Sequence, residues 1–295
     1  MPHPQPHALR GTLIGGVAIL MWSSLAVLTA WSGGVPPFQM VAIAFTAAFG
    51  IAVVRWRLNG QRVADRLRQP PGAWLLGVGG LFGYHFLIFF ALKNAPAVEA
   101  NLVNYLWPLL IVLFSALLPD GTRLTWRHLV GTGMGLAGTA VLLGGGLAFR
   151  PEHHAGYLAA LLAALTFSSY SVLNRRYAHV PSDAVGGFLL GGAALAVACH
   201  LLFETTVWPG DAVEWLAVLA LGLGPAGGAF FFWDHGVKHG NLRTLGAWSY
   251  TIPLMSTGLL LAAGVGAPTL RIAAACALIV GGAVLATDRR QGTGT

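Results

Sequence analysis

The sequence predicts an all-α polytopic membrane protein, with ten transmembrane helices arranged as two inverted five-helix repeats. Three observations predict it. The chain is 56% hydrophobic and only 9% charged, whereas a soluble domain carries about 25% charged residues. Its apolar residues fall in long runs rather than the short alternating segments of a barrel. The sequence also aligns with itself at a shift of 145 residues, which places Trp22-Ser23-Ser24 on Phe167-Ser168-Ser169, Lys93 on Lys238, and Tyr105…Pro108 on Tyr250…Pro253. Between Gly11 and Leu28, eight of eighteen positions are identical at that shift, without a gap.

Apolar runs place the spans at 10–31, 37–54, 73–92, 98–118 and 128–147, then at 155–173, 184–203, 213–233, 244–263 and 270–287. Each run is long enough to cross roughly 30 Å of hydrocarbon at about 1.5 Å per residue. Turn residues separate them: Gly33-Gly34 with Pro36-Pro37, Pro70-Pro71, Pro119-Asp120-Gly121, Pro151, Pro181, Pro209-Gly210 and Pro268. The domain reading is a tail over 1–9, a first repeat over 10–148, a second over 155–288 and a tail over 289–295. Only about ten residues precede the first apolar run, with no matching cleavage site, so a cleavable signal is not expected.

Lys and Arg sort by side. The side holding both termini receives fourteen: Arg10, Arg55, Arg57, Arg62, Arg66, Arg68, Arg123, Arg127, Arg175, Arg176, Lys238, Arg243, Arg289 and Arg290. The opposite side receives three: Lys93, Arg150 and Arg271. Basic loops stay in the cytoplasm, which puts both termini there. Five spans per repeat is an odd number, so the second copy enters the membrane from the other side. Two inverted halves can exchange conformations around one central site. The formal charge of +7 is spread through loops, so it reads as a topology signal and not as a nucleic-acid surface. Cys199 and Cys276 lie in apolar runs and read as packing residues.

Polar residues inside the spans mark the candidate site. Asn101, Asn104, Tyr105, Pro108 and Ser115 share one face of the fourth span. Gly246, Ser249, Tyr250 and Pro253 repeat that stripe in the ninth, near Ser256 and Thr257. Such a stripe faces a wet cavity or a packed neighbour, not lipid. Pro108 and Pro253 each withhold an N–H from the carbonyl four residues earlier, on Asn104 and Ser249, which leaves an acceptor for a substrate ammonium or simply bends the helix. Ser23 and Ser168 permit close helix approach, beside Trp22, Phe167 and Tyr170, which suit a flat substrate. Tyr84-His85 lies within a glycine-rich third span.

Absences narrow the chemistry. No Asp, Glu, Lys or Arg falls at the middle of a span, so the site suits a substrate neutral overall, a zwitterion included. Lys93 and Glu99 flank the turn between spans three and four and are gate candidates. Asp234, His235, Lys238 and His239 read as a solvated helix end rather than a metal site. No nucleophile motif, phosphate loop or zinc-ligand cluster is present, so an enzyme is not expected, and neither is a cofactor or a metal.

The five-plus-five spans, the Trp/Phe-Ser-Ser helix opening each half and the Tyr-x-x-Pro helix fourth in each half resemble the drug/metabolite transporter superfamily, EamA type. Tyr84-His85 and Asn101…Asn104-Tyr105-x-Trp107-Pro108 resemble the bacterial aromatic amino-acid exporters within it. The resemblance covers about Gly11 to Asp288. It implies a basket-like bundle in the inner membrane whose cavity is built from spans 1, 3, 4, 6, 8 and 9. Its task would be export of aromatic and other neutral amino acids by alternating access. The lining carried over is Trp22, Ser23, Tyr84, His85, Asn101, Asn104, Tyr105, Trp107, Ser168, Tyr170, Trp248, Ser249 and Tyr250. Trp107 stands off the Asn101/Tyr105 face, at a cavity edge or against a neighbour, and Trp248 likewise. The competing reading is efflux of hydrophobic drugs or other small neutral metabolites. The expected partners are the small-molecule substrate and the lipid bilayer, and a monomer is compatible with both.

Overall fold

The computed structural model describes residues 6–118, 124–143, 150–262 and 269–286, and these are helical apart from short connections. Pro119-Asp120-Gly121, Pro268, Arg123, Arg289 and Arg290 lie outside the described residues, as do 1–5 and 287–295. The helices are α1 Pro6–Ser23, α2 Leu25–Trp31, α3 Pro37–Leu58, α4 Val63–Leu67, α5 Pro71–Asn94, α6 Ala97–Asn104, α7 Trp107–Ser115 and α8 Trp126–Leu143. The order continues with α9 His154–Leu173, α10 Val185–Phe203, α11 Ala212–Leu223, α12 Ala229–His239, α13 Leu242–Ser249, α14 Thr251–Ala262 and α15 Leu270–Ala286.

Local chemistry sets the starts. Pro37 and Pro71 occupy the first turns of α3 and α5, where a missing N–H costs nothing. Asp211 Oδ1 accepts from the amides of Val213 and Glu214 at 2.8 and 2.9 Å, and Asn241 Oδ1 from those of Arg243 and Thr244, both at 3.1 Å. Those side chains satisfy amides that the first turn leaves open.

Among the described residues, six stretches are long and apolar enough to cross a bilayer: Ala8–Trp31, Pro37–Leu58, Pro71–Asn94, Ala97–Ser115, Pro151–Tyr177 and Ser182–Phe203. The chain is a multi-pass membrane protein. Four of the expected spans come in two pieces. The first breaks at Ser24, whose amide and hydroxyl both donate to the Met21 carbonyl, at 3.1 and 2.7 Å. The fourth breaks at Tyr105-Leu106 and the ninth at Tyr250. Pro108 therefore opens a new helix instead of kinking one, which corrects its placement as an interior proline, and Pro253 likewise sits in the first turn of α14. The eighth breaks over Gly224–Gly228, where the Ala226 amide reaches back to the Leu221 carbonyl at 2.8 Å. Its second piece, α12, runs six residues past the expected end at 233.

Packing repeats with the sequence. A β-carbon on Gly11 would meet the backbone of His239 and Gly240 at 2.6 and 2.7 Å. One on Gly156, 145 residues later, would meet Asn94 and Ala95, which are the residues 145 before His239 and Gly240. So α1 lies on α12 as α9 lies on α5. Gly15 deepens the first seam, since a β-carbon there would sit 2.9 Å from the Cα of Gly236. Close backbone approach through small residues is how helices adhere where both lipid and protein are apolar. The helices α8 and α15 face each other across a similar seam of Gly131, Gly135 and Gly138 against Ala275, Ile279 and Gly282.

Candidate functional site

Aromatic rings from several helices converge inside the bundle. Trp22 of α1 stands 5.1 Å from Trp233, 5.8 Å from Phe167, 5.9 Å from Phe230 and 6.2 Å from Trp107, centroid to centroid. Trp107 meets Phe167 edge-on at 5.1 Å, and Phe167 stacks on Trp233 at 5.9 Å. Tyr84 extends the cluster at 5.2 Å from Phe167, and His85 lies 5.3 Å from Tyr84, 5.2 Å from Phe45 and 6.0 Å from Phe230. Edge-to-face rings at these distances attract one another.

Within this cage the polar groups are few and specific. Asn104 Nδ2 donates to the Tyr84 hydroxyl at 3.2 Å, while Asn104 Oδ1 is buried and has no hydrogen-bond partner. An unpaired acceptor in an apolar interior costs free energy until a donor arrives. Tyr84 has accepted one bond and keeps its own proton to donate. His85 Nδ1 lies 2.8 Å from the Leu81 carbonyl. A carbonyl only accepts, so the proton sits on Nδ1, and Nε2 remains for another partner. Trp22 Nε1 donates to the Pro225 carbonyl at 3.0 Å, which ties the break in the first span to the break in the eighth.

The structure brings some of the predicted residues together and separates others. Trp22, Tyr84, His85, Asn104 and Trp107 come together in the cage, with Tyr170 beside Phe167 at 6.0 Å. Trp107, expected at an edge or against a neighbour, is one of its walls. Tyr105 and Tyr250 meet each other, with the Tyr250 hydroxyl donating to the Tyr105 carbonyl at 3.1 Å. Ser23, Ser168 and Ser249 are buried and spend their hydroxyls on the carbonyls of Ile19, Ala164 and Leu245 at 2.9, 2.7 and 2.8 Å. They pack helices here and offer no free polar group. Trp248 lines an open groove with Leu13, Leu20, Thr251 and Val284, away from the cage. Ser115, read as part of the Asn101 stripe, instead accepts from Arg243 Nε at 3.2 Å, and Arg243 is buried rather than in a loop. Asn101 is half-buried. Of the two gate candidates, Lys93 is exposed and Glu99 buried.

Sequence reasoning missed Trp233, Phe230 and Phe45 as cage walls. The first two belong to the run Phe230-Phe231-Phe232-Trp233, an aromatic density unusual enough to have been a signal. Asp234 and Lys238, expected on a solvated helix end, are 0% and 5% exposed. The helix continues past them, and the turn Asn174–Tyr177 covers it.

A model of the EamA-like transporter family matches residues 9–144 and again residues 154–287. The chain belongs to the EamA-like transporter family. This EamA-like chain thus carries the family unit twice, and the two matches begin 145 residues apart, the shift at which the sequence meets itself. Family membership makes it a transporter and not an enzyme. It is 57% identical over 281 residues to the aromatic amino acid exporter YddG of Ancylobacter novellus, across 94% of this chain and 96% of that one. It is 29% identical to YddG of Salmonella typhimurium, across 85% and 87% of the two chains. Similarity extends to the pseudopaline exporter CntI of Pseudomonas aeruginosa, 26% identical across 72% and 73%. A solved crystal structure with 54% identity superposes with a TM-score of 0.90, covering 95% of this chain and 96% of that one.

Proposed function

We propose that this EamA-like transporter exports aromatic amino acids, and other neutral ones, from the cytoplasm across a bacterial inner membrane. The observation that carries the reading is 57% identity, over nearly the whole of both chains, to an aromatic amino acid exporter. Two inverted five-helix halves, about 10–148 and 155–288, would enclose the pathway, with ten crossings and both termini cytoplasmic. The excess of Lys and Arg on one side supports that orientation. Alternating access then follows from the halves exchanging conformations.

The cage supplies what an aromatic zwitterion needs. Trp22, Trp107, Phe167 and Trp233 offer faces and edges to the ring. Asn104 Oδ1 accepts from the ammonium, and the Tyr84 hydroxyl donates to the carboxylate. The His85 ring, walled by Phe45 and Phe230, stands next to Tyr84. A fixed charge is unnecessary, because the substrate's own charges cancel.

Flux of phenylalanine, tyrosine and tryptophan into proteoliposomes, set against alanine and glutamate, tests the reading. Saturable aromatic flux that trans substrate accelerates is expected; equal flux of all five, or none, refutes it. Asn104→Ala removes the unpaired acceptor and is expected to raise KM about tenfold or more, since one good hydrogen bond to a charged group contributes roughly 1.5–3 kcal/mol. An unchanged KM would remove Asn104 from the site.

A further inference from the structure

The charged groups that the cage does not use gather beneath it. Asp234 and Lys238 lie one turn apart on α12, 2.9 Å from Oδ2 to Nζ, in a chain with only 9% charged residues. Because both stand on one helix, their attraction fastens α12 to nothing. Other bonds do that. Asn174 Nδ2, just after α9, donates to Asp234 Oδ1 at 2.6 Å, Lys238 Nζ donates to the Val180 carbonyl at 3.0 Å, and Trp233 Nε1 of α12 donates to the Ser171 hydroxyl of α9 at 2.9 Å. Asp234 Oδ2 accepts no aligned hydrogen bond, so the ammonium alone compensates it.

A buried ion pair rarely adds stability over an apolar pair of the same volume. Ionisable groups inside membrane proteins are more often tied to the path or its switching. Two observations point to switching. First, α12 is a half-helix set off from α11 by the Gly224–Gly228 break, so it can move as a unit. Second, one repeat earlier, Phe89 stands for Asp234 and Thr29 for Asn174, while Lys93 is exposed where Lys238 is buried. Of these side chains only the lysine recurs one repeat earlier, and there it is exposed, so the other end of the bundle has no such arrangement at the same positions.

We propose that Asn174, Asp234, Lys238 and the Val180 carbonyl form a lock that keeps the cytoplasmic end of the path shut. Opening requires α12 to swing about Gly224–Gly228, which breaks the bonds to Asn174, Val180 and Ser171. The Asp234–Lys238 pair travels with α12 as a neutral unit, so no lone charge is stranded and water replaces the partners that the pair loses. The proposal rests on the transport reading above for the direction of cargo, but the lock itself can be judged without cargo.

The test uses the full chain with Cys199→Ala and Cys276→Ala and a reporter, Val172→Cys, buried in the last turn of α9 before Asn174 and outside these bonds. Inside-out vesicles are treated with a membrane-impermeant maleimide. Asn174→Ala and Lys238→Met are each expected to speed labelling about tenfold, the factor that one hydrogen bond of ordinary net strength controls. Labelling within twofold of the parent, in variants that elute as a single sharp peak, overturns the lock. If Lys238→Met does not fold, Asn174→Ala alone decides, since it leaves the ion pair intact. Absence of phenylalanine flux through the unmodified chain would overturn the cargo assignment and leave the labelling result standing.

Discussion

Two helix pairs stand in the same relation one repeat apart, and only one of them is bent. In the straight pair, α5 and α9 run unbroken over Pro71–Asn94 and His154–Leu173 along the Gly156 seam. In the bent pair, α1–α2 and α11–α12 run along the equivalent Gly11 seam, yet both are interrupted, at Ser24 and at Gly224–Gly228. The interruptions touch through the Trp22–Pro225 bond. Local sequence does not explain the first break, because Ser23-Ser24 and Ser168-Ser169 are the same dipeptide in the same register and only one bends. It bends where its partner is bent. The two repeats therefore differ in state as well as in sequence. On the proposed inverted topology, that difference is what makes one end of the bundle unlike the other.

The comparison can be broken at equivalent glycines. A β-carbon on Gly228 would overlap the Leu223 carbonyl, whereas on Gly83, its counterpart in α5, it would find only Thr166 Cγ2 at 3.7 Å. Gly228→Ala is the larger change: it should destabilise the detergent-solubilised protein by about 1–3 kcal/mol, the cost of overpacking, read as a lower midpoint in denaturant. Trp22→Phe comes next. It strands the Pro225 carbonyl, and a loss of roughly 1–2 kcal/mol is expected, followed by far-ultraviolet circular dichroism because a fluorophore is removed. Gly83→Ala is the smallest and has the opposite sign, a gain of up to about 1 kcal/mol from a better helix former. A loss there instead would mean that α5 also has to bend, and would weaken the contrast between the pairs.

Much of this was legible in the residues. The shift of 145 was legible and reappears in the matched seams at Gly11 and Gly156, whereas the meeting of Tyr105 with Tyr250, both read as cavity lining, is a tertiary contact that recurrence alone does not give. The cage was half legible: Trp22, Tyr84, His85, Asn104 and Trp107 announce themselves as polar or aromatic groups in apolar runs. Trp233 did not, because an aromatic near the end of an apolar run also suits a membrane interface. Asp234 and Lys238 were misread for a related reason. Charge at the end of an apolar run normally meets water, and only tertiary contacts with Asn174 and Val180 bury it. The break at 224–228 was written in Gly224-Pro225-Ala226-Gly227-Gly228, a helix-breaking run hidden by its apolar composition. The break at Ser24 was not written locally at all, since it depends on what lies opposite.

The bond from the Tyr250 hydroxyl to the Tyr105 carbonyl joins two residues that are each other's copies. Its mirror image, from the Tyr105 hydroxyl to the Tyr250 carbonyl, uses the same two residues with donor and acceptor exchanged. A fluorine placed on either ring would thus act as a pointer needle, its resonance telling which copy is giving and which is receiving at any moment.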